Sequence, residues 1–258
     1  MLTEIRRIYR ESQKPADSYF NLYLARPLAA VVVAALARTR TTPNQVTFLS
    51  IAVFKLAMIG LVLLPGWVGL LVGVGLVELS YIFDCADGQL ARLTKRSSPV
   101  GALLDFLMDE LKAYLLVAGI SLRWFLQTDA GVYPVLLGLG TLVIIGSALS
   151  LTKFVRTPEY AQATGTKQLQ HGEAAGASRQ RSGPLWPVQL VARLISQYPA
   201  TLPLFAVADR LDLFLYAYAG VHVLYIGQTT LVVLWRLGRF APRAAPSVAP
   251  RSAPESTP

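Results

Sequence analysis

Cysteine and histidine are nearly absent, with one cysteine, Cys85, and two histidines, His171 and His222, in 258 residues. A single thiol excludes an intramolecular disulfide, and so small a set of imidazole and thiolate ligands excludes a zinc site of the Cys/His kind. Charge is scarce as well: Asp, Glu, Lys and Arg make up 15% of the chain. The first 20 residues are charged and hold no continuous apolar run, so no cleavable signal peptide is expected. No internal repeat is visible. The chain is instead filled with apolar residues, 53% of the total, at a mean hydropathy of +0.46. That is too apolar for most water-soluble globular folds and predicts an integral membrane protein.

The apolar residues arrive in blocks long enough to cross a hydrocarbon core, which takes roughly 20 helical residues. Spans are predicted at about 44–64, 67–92, 100–126, 132–155, 186–208 and 211–236. The fifth is interrupted by Arg193, Pro199 and Pro203. Residues 18–38 are broken by Asn21, Arg26 and Pro27, and their apolar core from Leu28 to Ala37 is too short to span, so an interfacial amphipathic helix is expected. The expected fold is therefore an all-α bundle of six transmembrane helices, residues 44–236, behind a cytoplasmic N-terminal region, residues 1–43. Thr41, Thr42, Pro43 and Asn44 separate the two with helix-capping chemistry. The loop 156–185 and the Pro/Ala-rich tail 237–258 are too poor in apolar residues to fold alone.

The basic residues set the orientation. With both termini cytoplasmic, every one of the 24 Lys and Arg falls in a cytoplasmic segment except Lys55, Lys112, Arg123, Arg193 and Arg210. The net charge of +9 accordingly reads as an orientation signal toward anionic lipid in the inner or plasma membrane, and not as a nucleic-acid surface.

Residues 84–109 read DCADGQLARLTKRSSPVGALLDFLMD. Asp84 and Asp87 are three apart, Asp105 and Asp109 four apart, and each pair shares one helix face at the cytoplasmic end of its span. A short loop makes the two helices antiparallel neighbours, so all four carboxylates can converge. Each acid at membrane depth costs about 2.5–3.5 kcal/mol on the insertion scale, and a divalent cation such as Mg²⁺ or Mn²⁺ is the economical compensation. Four carboxylates suffice for one or two ions, the arrangement used in phosphoryl chemistry. The competing reading of each acid is helix-end solvation or an ion pair with Lys95, Arg96 or Lys112. Gly88, Ala91 and Gly101 leave a slot beside the acids, or pack helices closely, and the Arg92 guanidinium can hold a phosphate.

The pattern Asp84-x2-Asp87-Gly88-x2-Ala91-Arg92-x8-Gly101-x3-Asp105-x3-Asp109 resembles the signature of the CDP-alcohol phosphatidyltransferase family, with all eight positions filled. The resemblance implies that Asp84, Asp87, Asp105 and Asp109 hold the metal, with Asp109 also the general base. It implies that Gly88, Ala91, Arg92 and Gly101 line the CDP-donor site, joined by Ser98 and by Thr42, Pro43, Asn44 and Gln45. It further implies a homodimer, and transfer of a substituted phosphate from a CDP-linked donor to an alcohol with release of CMP, in phospholipid biosynthesis.

Lys153 and Arg156, three apart at the cytoplasmic end of the fourth span, are candidates for an acceptor phosphate with Arg193, or else ordinary positive-inside anchors. The run from Asp17 to Phe20 and the run Thr-Pro-Asn-Gln-Val-Thr at 42–47 are similar to those of branches handling phosphoinositol or related polyol phosphates, with phosphatidylglycerophosphate and phosphatidylserine synthases as alternatives. A choline/ethanolamine type using diacylglycerol is a further alternative within the family, and a divalent-cation transporter the alternative outside it. A transporter would string polar groups through the bilayer, whereas here only Glu78 leaves the cytoplasmic face. Lys55 and Lys112 lie inside spans, with Glu78, Glu110 and Asp109 as available partners.

Overall fold

Thr42 and Pro43 open the first long helix as their chemistry predicts. The Thr42 hydroxyl accepts from the Gln45 amide at 3.4 Å and the Gln45 side chain accepts from the Thr42 amide at 2.9 Å, a reciprocal cap with proline at the first turn. The computed structural model describes residues 2–12, 17–166 and 194–239, and these are helical throughout, with no strand among them. In chain order they form α1 (Leu2–Glu11), a wide π-type turn (Asn21–Ala25) running into α2 (Arg26–Leu36), α3 (Pro43–Leu63), α4 (Gly66–Leu93) and α5 (Pro99–Gln127). Then follow α6 (Tyr133–Val155), α7 (Pro158–Thr164), α8 (Tyr198–Val207) and α9 (Leu211–Arg239).

Among the described residues four helices are long and apolar enough to cross a membrane: α3, α4, α6 and α9. The 29-residue α5 has the length, but it carries Asp105, Asp109, Glu110, Lys112 and Arg123 and falls outside that group. Of the predicted fifth span, the ten-residue α8 with Pro203 inside it is the main described portion. Arg193 and most of the loop 156–185 and tail 237–258 lie outside the described residues.

Helix α3 packs against α4 and α5, and α6 bridges α5 and α9. A core cluster that includes Phe54, Leu61, Leu116, Ile145, Leu202 and Phe214 joins these elements. Backbones come close at small residues: a methyl on Gly73 would stand 2.7 Å from Leu61 Cβ. Ser50 and Ser80, both fully buried, each donate to the other's carbonyl at 2.9 and 2.8 Å, a polar clasp between α3 and α4. The Arg123 guanidinium donates to the carbonyls of Leu61 (2.8 Å), Leu64 (3.3 Å) and Gly66 (2.8 Å), satisfying groups that the end of α3 leaves open.

The N-terminal helices form a second cluster. Ile8, Ala29, Ala30 and Val33 pack on Ala86 and Leu90 of α4. Polar contacts fix the register: Tyr81 donates to Asn21 at 2.6 Å, Arg26 pairs with Asp17 at 2.9 Å, and Gln89 donates to the Arg26 carbonyl at 3.1 Å. Burial alone would push the Asp17 carboxyl up, but the Asn21 hydrogen bond and the Arg26 charge outweigh it and hold the group below its ordinary range.

Candidate active site

The α4–α5 connection is short, so the two helices run antiparallel and the end of α4 meets the start of α5. Ser98 caps α5 by accepting from the Gly101 amide at 3.0 Å, and Pro99 occupies the first turn. Asp105 and Asp109 therefore follow on successive turns of one face, opposite Asp84 of α4. One carboxylate oxygen from each of Asp84, Asp105 and Asp109 lies within 4.8 Å of the other two. An octahedral Mg²⁺ or Mn²⁺ takes oxygen ligands at about 2.1 Å, hence roughly 3–4 Å apart, so this all-oxygen set fits such an ion.

Asp87 is placed differently from its three partners. It is 5% exposed, and its Oδ2 accepts a 2.5 Å hydrogen bond from the Thr47 hydroxyl of α3. The same Thr47 oxygen lies 3.2 Å from the Pro43 carbonyl, so its single proton is shared between that carbonyl and the closer acid.

Lys112 supplies positive charge at the site. It is fully buried, pairs directly with Asp84, and lies 3.7 Å from Asp109 Oδ1. Glu110, one residue beyond Asp109 and also buried, pairs instead with Lys153 of α6 at 2.7 Å. Lys153 and Arg156 both stand over the Phe106 ring, at 5.8 and 5.6 Å from its centre. The two basic residues of α6 are thus joined to α5 within one turn of Asp105 and Asp109. Lys55 lies exposed on α3, and the Glu78 Oε1 atom is buried with no hydrogen-bond donor.

On the donor side, Arg92 donates from Nε to the Ser12 carbonyl at 2.8 Å. Its guanidinium lies against Gly88, where an added methyl would come within 3.3 Å of Nη1. The small residue leaves room for the guanidinium as well as for a ligand. Gly101 similarly faces Ser98 and Asn44: its Cβ would stand 3.1 Å from Ser98 Oγ and 3.6 Å from Asn44 Oδ1. The start of α3 therefore meets the start of α5 beside the acids. Ala91 is half-buried on α4, while Thr42 and Gln45 are engaged in their mutual cap.

Thr47 and Ser12 are the contributors that sequence reasoning did not single out. Thr47 lies within the 42–47 run, one turn after Pro43, and that spacing was an available signal. For Ser12 there is none, because its contact is made by a backbone carbonyl.

The model of the CDP-alcohol phosphatidyltransferase family matches residues 40–176. Over 101 residues the chain is 39% identical to a protein of Rubrobacter xylanophilus named bifunctional IPC transferase and DIPP synthase; the match covers 39% of this chain and 22% of that protein. It is 29% identical over 211 residues to a Mycobacterium tuberculosis protein provisionally named a cardiolipin synthase, covering 76% of this chain and 86% of that one. It is 31% identical over 118 residues to the archaetidylinositol phosphate synthase of Aeropyrum pernix, covering 45% of this chain and 54% of the relative. The chain thus spans about a fifth of the Rubrobacter protein and about half of the Aeropyrum one. The family match takes in the capped start of α3, the acidic ends of α4 and α5, Arg92 and the basic end of α6, and it covers more than half of the residues: the chain belongs to the CDP-alcohol phosphatidyltransferase family.

Proposed function

We propose that this chain transfers a substituted phosphate from a CDP-linked lipid donor to a polyol phosphate, of the inositol phosphate or glycerol phosphate kind, and releases CMP. The observation that carries the reading is the gathering of Asp84, Asp105 and Asp109 within 4.8 Å, on a site whose α5 also meets Lys153 and Arg156 through Glu110 and Phe106. The names of the Rubrobacter and Aeropyrum relatives support the acceptor class.

Asp84, Asp105 and Asp109 would hold a divalent ion, with Asp87 beside them, and the bound ion would supply positive charge against the pyrophosphate. Arg92 offers its remaining guanidinium donors to the same phosphates, in the slot left by Gly88 and Ala91 and bounded by Gly101, Ser98, Pro43 and Asn44. Asp109, 55% exposed at its side chain, takes the proton of the acceptor hydroxyl. The acceptor oxygen forms a bond to the phosphorus distal to cytidine as the bond to the CMP phosphate oxygen breaks. Lys153 and Arg156 hold the acceptor's own phosphate.

In this reading α5 and the segment containing α8 join α3, α4, α6 and α9 as six spans, with both termini and the site at the cytoplasmic face. The helix from Asn21 to Leu36 lies in the interface, and two copies form the working unit. Purified protein assayed for CMP release against CDP-linked donors paired with inositol phosphate, glycerol phosphate or diacylglycerol tests this. The expectation is ion-dependent CMP with a phosphorylated polyol, abolished in Asp109→Asn with folding retained. Turnover by Asp109→Asn refutes the base, and CMP formed only with diacylglycerol refutes the acceptor class.

A further inference from the structure

We propose that α1 is a positioning element for the donor phosphates, acting through the Ser12 carbonyl on Arg92. This rests on the reading of Arg92 as a donor-phosphate ligand. The sequence makes α1 strongly two-sided: Arg6, Arg7 and Arg10 are exposed, whereas Ile5, Ile8 and Tyr9 turn toward α2 and α4. Ile8 is 1% exposed, Tyr9 donates to the Leu22 carbonyl at 2.9 Å, and Glu4 pairs with Arg38 at 2.7 Å. These contacts fix where the helix ends.

It ends on Arg92. Ser12 is fully buried, its amide and hydroxyl both donate to the Ile8 carbonyl (3.0 and 2.6 Å), and its own carbonyl accepts from Arg92 Nε at 2.8 Å. A helix C-terminus carries open carbonyls and a partial negative charge, so it is a natural seat for a guanidinium. The contact spans 80 residues of sequence and engages only one corner of the side chain. The opposite corner, Nη2, is buried with no acceptor among the described residues, and Nη1 lies over Gly88. A guanidinium held by Nε with its terminal nitrogens directed to a glycine-lined slot is set for paired bonds to a phosphate. Without α1, Arg92 keeps its charge but loses its aim, so donor binding weakens while the chemical step is spared.

The test is the affinity of the full chain for CDP with Mg²⁺, measured by calorimetry on wild type, Ile8→Ala, a deletion of residues 1–12, Arg92→Lys, and Arg92→Lys combined with Ile8→Ala. Unseating α1 by either route is expected to weaken CDP about tenfold, the scale of one well-placed charge-assisted hydrogen bond. The donor KM is expected to rise in parallel, with kcat within about twofold and acceptor KM unchanged. In the Arg92→Lys background Ile8→Ala adds nothing, because the group it positions is gone. Gln127→Ala, at the far end of the bundle, serves as the control for general destabilisation and keeps wild-type CDP affinity. The proposal falls if both Ile8→Ala and the deletion bind CDP as wild type does, if Ile8→Ala is additive with Arg92→Lys, or if Gln127→Ala loses affinity equally. Absence of CDP binding by wild type refutes the Arg92 reading and takes the proposal with it.

Discussion

Replacing Lys112 with Met should tighten the binding of the divalent ion while destabilising the ion-free protein. Met keeps most of the volume of the fully buried side chain and removes its charge. In the resting structure that charge neutralises Asp84 directly and Asp109 from 3.7 Å. Unit charges at 3.7 Å attract by about 4.5 kcal/mol at an effective dielectric of about 20. Water at the Asp109 side chain, 55% exposed, screens most of this, leaving about 1–1.5 kcal/mol. An incoming cation meets the same ammonium as a repulsive neighbour and as a rival for the same oxygens. Its removal is therefore worth about tenfold in ion affinity. Ion-free Lys112→Met has three crowded carboxylates and no internal cation, so its unfolding temperature with EDTA should fall below wild type. Mg²⁺ should recover more of that loss than it adds to wild type, since stabilisation by a ligand grows as its dissociation constant falls. The assay is a Mg²⁺ titration read by thermal unfolding and by CMP release. An unchanged or higher half-saturating Mg²⁺ concentration would refute the placement of the ion at these three acids.

Thr47→Val removes the 2.5 Å hydrogen bond to buried Asp87 at constant shape; a hydrogen bond to a charged group is worth about 1.5–3 kcal/mol, so CMP release should fall about 10- to 100-fold and return in Thr47→Ser. Arg123→Met strands carbonyls of Leu61, Leu64 and Gly66 and should cost about 3 kcal/mol of stability, seen as a lower unfolding temperature with the KM for the donor unchanged. The depressed Asp17 carboxyl contributes stability that is present above its unfolded value and lost as pH falls through the folded one. An acid titration of unfolding temperature should therefore be flatter in Asp17→Asn than in wild type.

Helix boundaries were legible because they are local. Thr42-Pro43 and Ser98-Pro99 each pair a capping hydroxyl with proline at the first turn, and α3 and α5 start there; Thr157-Pro158 does the same for α7, a short helix inside the segment expected to be loop. Helices α3, α4, α5 and α6 end within a residue or so of the expected segments and α9 runs on to Arg239, whereas of the segment expected at 186–208 the ten-residue α8 is the main described part. Helix α1 was read as a basic polar segment because Arg6, Arg7 and Arg10 mask a seam only three residues wide. Within the site, spacing placed Asp84, Asp105 and Asp109 near one another but assigned Asp87 to the same group. That residue shares a face with Asp84, yet the Thr47 hydroxyl on a different helix takes up one of its oxygens, and no periodicity within α4 carries that information. The pairings of Lys112 with Asp84 and of Glu110 with Lys153 were open for the same reason. Each joins two helices, and its choice depends on how they are rotated against one another.

The arginines show how a membrane enzyme keeps structural and binding cations apart. An unpaired charge in a low-dielectric bundle is costly, so each buried guanidinium has a resting partner. What distinguishes them is how many donors that partner uses. Arg123 spreads both terminal nitrogens over three carbonyls at the end of α3. Arg26 engages Asp17 through Nε and the Cys85 carbonyl through Nη1, fastening α2 to α4. Arg92 differs, because among the described residues its acceptor takes Nε and leaves Nη2 buried and open beside Gly88. A buried donor left unmet costs about 1–3 kcal/mol, and that cost is withdrawn when an anion arrives. The sequence motif sets Arg92 apart from Arg26 and Arg123, and the donor count gives that distinction a physical form. Among these three, counting the donors already satisfied supports the proposed role of Arg92 as the donor-phosphate ligand, because its fork is held open.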